Sequence, residues 1–103
     1  NWTPVARCEE LAPGKPLRVT HAGENVALFN IDGQYYACSD ACPHAGGPLH
    51  LGFVRGTVVS CPWHGWAFDL AAGPETTRDG VLRYPVREEA GQLLLGPALS
   101  SGQ

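Results

Sequence analysis

No stretch of this 103-residue chain comes near 18 consecutive apolar residues, so no transmembrane helix is expected. The start lacks the basic region and apolar run of a secretory signal. It opens at Asn1 rather than Met, which leaves room for a leader removed ahead of it. Charge is scarce, with 17% charged residues and a net charge of −3, and this argues against nucleic acid and anionic membrane as partners. Nor does any segment sustain a helical period. What the chain has in quantity is glycine and proline, 13 and 9. Its length suits one domain with a modest core. Together these features predict an all-β domain over residues 1–103, a small antiparallel barrel or sandwich rich in loops.

The strands are punctuated by turn residues. Residues 2–7 read as a strand that Pro4 confines to a sheet edge, and residues 11–16 read as a loop. Residues 17–20 and 26–31 are β-rich runs joined through residues 21–25, where a turn histidine, His21, is expected to meet solvent. Asp32-Gly33 between Ile31 and residues 34–38 is a hairpin signal. Further on, residues 54–60 read as a strand with Arg55-Gly56 as a turn, and residues 66–69 as another. Residues 71–74 form a turn and 75–80 a polar loop. The chain returns as a strand over 84–88, a turn at Ala90-Gly91, a strand over 92–95 and a frayed tail over 96–103.

Chemistry concentrates between Cys42 and His64. Cys42-Pro43-His44 and Cys61-Pro62-Trp63-His64 are two tight cysteine-plus-histidine loops with sixteen residues between them. Pro43 and Pro62 fix φ after each cysteine, and Gly46, Gly47 and Gly65 follow the histidines where the backbone must turn or approach closely. Thiolate and imidazole donors suit zinc as well as iron–sulfur clusters. Mixed zinc sites usually pair like with like, cysteines in one knuckle and histidines in the other. Here each loop offers one of each, which suits a two-iron cluster with both thiolates on one iron and both imidazoles on the other. A structural zinc-binding interaction module is the alternative of another class.

Cys42-x-His44 and Cys61-x-x-His64, with the context Cys61-Pro62-Trp63-His64-Gly65-Trp66-x-Phe68-Asp69, resemble the signature of Rieske [2Fe–2S] ferredoxins and of the Rieske domains of ring-hydroxylating oxygenases. The resemblance runs from about residue 5 to 95. It implies that Cys42 and Cys61 hold an inner iron, that His44 and His64 hold an outer one, and that a cluster-binding subdomain of two loops, about residues 40–76, is inserted in the β body. One [2Fe–2S] cluster per chain follows, with no catalytic residue, because all four protein positions on the irons are filled.

Two ferric ions, two sulfides and two thiolates leave such a cluster neutral, whereas a four-cysteine version carries two more negative charges. Histidine ligation therefore raises the potential, to roughly −150 to +300 mV across Rieske centres. High-potential respiratory members carry a serine and a tyrosine that donate hydroxyls to the cluster. The matching positions are Trp66 and Phe68, which have no hydroxyl to give. The respiratory inter-loop disulfide falls on Gly47 and Trp63. These departures imply a low-potential ferredoxin, a one-electron carrier from a flavin-dependent reductase to a terminal oxygenase. A small Rieske subunit of a nitrite reductase, or of another redox complex, is the second reading within the family.

The resemblance places His44 and His64 at a tip ringed by Pro43, Ala45, Gly46, Gly47, Pro48 and Gly65, with Pro74 as the counterpart of a covering proline. Small apolar residues there let a partner dock without desolvating charge. Trp66 is read as packing, and Trp63 as packing or docking surface. His50 reads as a polar loop histidine and not a ligand. Cys38 reads as a small buried hydrophobe; Cys8, beside Glu9 and Glu10, as a thiol disfavoured from ionising. Those two glutamates, with Glu88 and Glu89, read as solvated strand ends. Four cysteines permit two disulfides, but committing two to iron points to a reduced, cytoplasmic setting.

Overall fold

The structure, a computed structural model, describes residues 2–21, 23–40, 48–62, 67–72 and 81–96. These residues form ten short strands and three single 3₁₀ turns, with no α-helix among them. The strands are β1 (Thr3–Arg7), β2 (Leu17–His21), β3 (Glu24–Ile31), β4 (Gln34–Ser39), β5 (Phe53–Arg55), β6 (Val58–Ser60), β7 (Ala67–Asp69), β8 (Arg83–Tyr84), β9 (Val86–Glu89) and β10 (Gln92–Leu95). They make three antiparallel sheets, ordered β2-β3-β4-β8, β1-β10-β9 and β5-β6-β7. The orders are open, so the described body is a sandwich and not a closed barrel.

The four-stranded sheet is covered on both faces, and β3 shows why. Successive side chains on a strand point to opposite faces, yet Val26, Ala27, Leu28 and Phe29 are all buried. Val26 and Leu28 pack with Leu11, Ala37, Tyr84, Leu93 and Leu95, on the side of the β1-β10-β9 sheet. Ala27 and Phe29 pack with Cys38, Leu49, Val59, Cys61, Phe68, Leu70 and Val81, on the side of the β5-β6-β7 sheet. The three-stranded unit inserted between β4 and β8 thus shares a core with the body. Each large apolar side chain in it contributes about 1.5–3 kcal/mol by leaving water.

Local chemistry sets the connections. Asp32 and Gly33 have φ of 53° and 85°, the positive pair a two-residue hairpin requires. The Gly33 N–H donates to Asn30 Oδ1 at 3.1 Å, and Asn30 Nδ2 donates to the Leu11 carbonyl at 3.0 Å. This second bond fastens the 11–16 loop, which is a loop as read, and in it Leu11 is fully buried core. β1 lies at a sheet edge as Pro4 demands, with its register shifting between Pro4 and Ala6.

Two strand readings change. Residues 54–60, read as one strand with a turn at Arg55-Gly56, form two strands, β5 and β6, about that turn, with Gly56 at φ of 61°. The expected strand over 84–88 is split at Pro85, which has no N–H for a ladder. There the chain leaves the four-stranded sheet (β8) and joins the outer one (β9). Arg83, just before the switch, is 2% exposed. Its Nε donates to the Asp69 carbonyl at 2.9 Å, so a buried cation ties the end of β7 to the central sheet. The 73–80 loop and the tail from residue 97 lie outside the described residues.

Candidate metal centre

Of the four predicted ligands, Cys61 lies among the described residues; Cys42, His44 and His64 do not. The same holds for Pro43, Ala45, Gly46, Gly47, Trp63, Gly65, Trp66 and Pro74. The structure shows how the elements bracketing both loops are fixed.

β6 delivers Cys61. It is the middle strand of its sheet, paired with β5 through Val54–Val59 and with β7 through Val59–Phe68. Cys61 follows at its end, 1% exposed, in the core with Leu49, Val59 and Phe68. Gly52 lets the preceding segment press against that strand: a side-chain carbon at Gly52 would collide with the carbonyl oxygen of Ser60, the residue before Cys61. The far side of the second loop is held at Asp69. Its Oδ1 accepts from Thr57 Oγ1 at 2.9 Å and from the Ala71 N–H at 3.0 Å, while the Leu70 N–H donates to the Thr57 carbonyl at 2.8 Å.

The first loop, residues 41–47, is bracketed by Asp40 and Pro48. The Asp40 N–H donates to the Asn25 carbonyl at 2.9 Å, which anchors it to the start of β3. Its carboxylate, with a side chain 2% exposed, accepts twice from one residue beyond the loop: from the His50 N–H at 2.8 Å and from His50 Nδ1 at 2.7 Å. An ionised carboxylate only accepts, so Nδ1 carries the hydrogen. His50 sits on the 3₁₀ turn Leu49–Leu51, pinned by the fully buried Leu49. Sequence reading passed over Asp40 and took His50 for a plain loop residue. The available signal was an aspartate directly before a ligand loop with a histidine three positions past its end.

His21 departs from expectation. Solvent exposure was expected of it, but β2 continues through it to pair with Glu24, and the residue is 8% exposed. Its ring meets Tyr84 edge-on, 5.5 Å between centroids at 81°, and its Nδ1 is buried without a hydrogen-bond partner. Tyr84's hydroxyl is pushed above the usual tyrosine value by burial and by the charges of Glu24 and Cys38. Cys38 is buried as expected. Burial and the Glu88 carboxylate push the Cys8 thiol up, against a smaller opposing effect of the Tyr35 hydroxyl. The responsible carboxylate is thus across the sheet and not Glu9 or Glu10. Cys8 packs on the outer-sheet side and Cys38 on the opposite one, and no disulfide joins them.

Two thiolates and two imidazoles are a donor set that fits a [2Fe–2S] cluster, and the buried, apolar seat of Cys61 fits a sulfur ligand on an inner iron. Among the described residues no helix is long and apolar enough to cross a membrane.

The family profile described as "Rieske [2Fe-2S] domain" matches residues 1–81. The biphenyl dioxygenase ferredoxin subunit of Pseudomonas sp. (strain KKS102) is 32% identical over 98 residues, covering 91% of this chain and 90% of that protein. Among solved structures, the ferredoxin of carbazole 1,9a-dioxygenase from Nocardioides aromaticivorans IC177 superposes with a TM-score of 0.81 at 27% identity, covering 94% of this chain and 98% of that one. A chain from a complex of reduced oxygenase and oxidised ferredoxin in carbazole 1,9a-dioxygenase matches with a TM-score of 0.78 at 28% identity, covering 91% of each chain. These matches displace the zinc-module alternative, since the cofactor of this family is a [2Fe–2S] cluster. The chain belongs to the Rieske [2Fe–2S] domain family, with ferredoxin components of aromatic-ring dioxygenase systems among its relatives.

Proposed function

We propose that this protein is a low-potential Rieske ferredoxin that takes one electron from a flavin-dependent reductase and passes it to a terminal oxygenase. Cys42, His44, Cys61 and His64 are the ligands, two from each loop of a cluster-binding subdomain over about residues 40–76. The observation that carries the reading is the seat of Cys61: a thiol buried in the core that the inserted three-stranded sheet shares with the body, at the head of a motif whose other members follow Rieske spacing.

When bound, the cluster supplies a one-electron couple. The two cysteines offset the ferric charge, and the two imidazoles leave the centre neutral before reduction. The Asp40–His50 and Asp69–Thr57 bonds fix the described residues that flank the two loops. Phe68, buried beside Cys61, has no hydroxyl to donate, which supports the low end of the Rieske range. Relatives named as dioxygenase ferredoxins, one in a structure titled as a complex with its oxygenase, support the same partner class here. Committing two of the four cysteines to iron supports a reducing, cytoplasmic setting.

The test is analytical and kinetic. The purified chain is expected to hold two irons and two sulfides, to give a Rieske electron paramagnetic resonance signal on reduction, and to be reoxidised by a ring-hydroxylating oxygenase in stopped flow. Absence of inorganic sulfide after folding with iron overturns the reading. Loss of the signal in His64→Cys is expected, and its survival removes His64 from the ligand set.

A further inference from the structure

We propose that the Asp40–His50 pair is a positioning clasp for the Cys42–His44 loop, so that the His50 side chain, itself no ligand, governs the geometry and retention of the cluster. This rests on the ligand assignment proposed above. Asp40 and His50 lie on either side of the seven residues 41–47 and the following Pro48 and Leu49. A single carboxylate accepts from both the backbone and the side chain of His50, at 2.8 and 2.7 Å. It does so with its side chain 2% exposed, where competition from water is slight. Neither anchor is loose. Asp40 is bonded through its N–H to β3, and His50 is held by Leu49, which is buried against the same core as Cys61. The Leu51 and Gly52 N–H groups also close the 3₁₀ turn onto Pro48 and Leu49. The clasp therefore sets where the first loop leaves and re-enters the frame that holds Cys61.

A structural contact elsewhere on the surface lowers the melting temperature and nothing more. A clasp on the ligand loop also alters the ligand field and the rate at which iron is lost. His50→Ala keeps the backbone bond and removes the side-chain one. His50→Asn restores a donor near the position of Nδ1. With cluster-loaded protein, we expect His50→Ala to shift the resonance g values and to release iron to a chelator about tenfold faster, as befits a lost bond to a charged acceptor. His50→Asn is expected to return both toward wild type. Wild-type g values and release rate in His50→Ala overturn the proposal, as does equal impairment of His50→Ala and His50→Asn. A wild-type chain that gives no Rieske signal overturns the ligand assignment, and the clasp with it.

Discussion

At Phe68 the proposed low potential turns on one oxygen atom. The residue is 3% exposed, pairs in register with Val59 and shares a core with Cys61. A hydroxyl aimed at a cluster sulfur stabilises the reduced, more negative form and raises the potential. Such a bond is worth about 1 kcal/mol net, or roughly 40 mV for a one-electron couple. Phe68→Tyr combined with Trp66→Ser is therefore expected to raise the midpoint potential by several tens of millivolts in protein-film voltammetry. An unchanged or lower potential counts against hydroxyl donation as the determinant at these two positions.

Among the elements, β6 leads into the proposed ligand Cys61, and Gly52 is what allows it to lie where it does. The obstacle a methyl would meet there is backbone, the Ser60 carbonyl, and not the far end of a flexible side chain. Gly52→Ala must displace β6 or the 3₁₀ turn before β5. Overpacking of this kind costs about 1–3 kcal/mol, and the displaced residue is the neighbour of Cys61. A matching fall in the urea midpoint, with faster cluster loss, is the expected result; wild-type behaviour in both assays shows that the segments part without cost. The sequence carried no trace of this constraint, because close approach of two segments is a tertiary fact and Gly52 looked like any loop glycine. His21 was missed for a related reason. Residues 21–25 read as turn chemistry, yet pairing with β3 drew His21 and Glu24 into the strands and turned the histidine onto Tyr84. The Asp32-Gly33 hairpin was legible because its signal is local, two positive φ values demanded by the turn itself. The candidate ligand set was read from spacing written along the chain, while the Asp40–His50 bond spans ten residues that no period links.

At the scale of the molecule, the described groups that resist ionisation lie on the outer-sheet side of the central sheet, away from the Cys61 core. Cys8, Tyr35 and Tyr84 all belong to that packing, and each has its ordinary value, 9.0 for the thiol and 10.0 for the phenols, pushed upward chiefly by burial. A group whose value is raised by folding keeps its proton longer in the native state than in the unfolded one. Its contribution to stability is whole below the unfolded value and is lost as pH climbs through the folded one. Stability is accordingly expected to decline from about pH 9 upward, as the unfolded chain sheds protons the native chain retains. Tyr84 is the buried member of the three and carries a second influence, the charge of Glu24. Tyr84→Phe keeps the ring against His21 and deletes the titrating oxygen, so above pH 10 its urea midpoint should fall less steeply than that of the wild type. Running both proteins at pH 8 and pH 10.5 removes the contribution of the cluster loops, which is common to the pair. Parallel decline of the two midpoints between those pH values would place the alkaline sensitivity outside this core, in Cys8 and Tyr35 or in the ligand loops themselves.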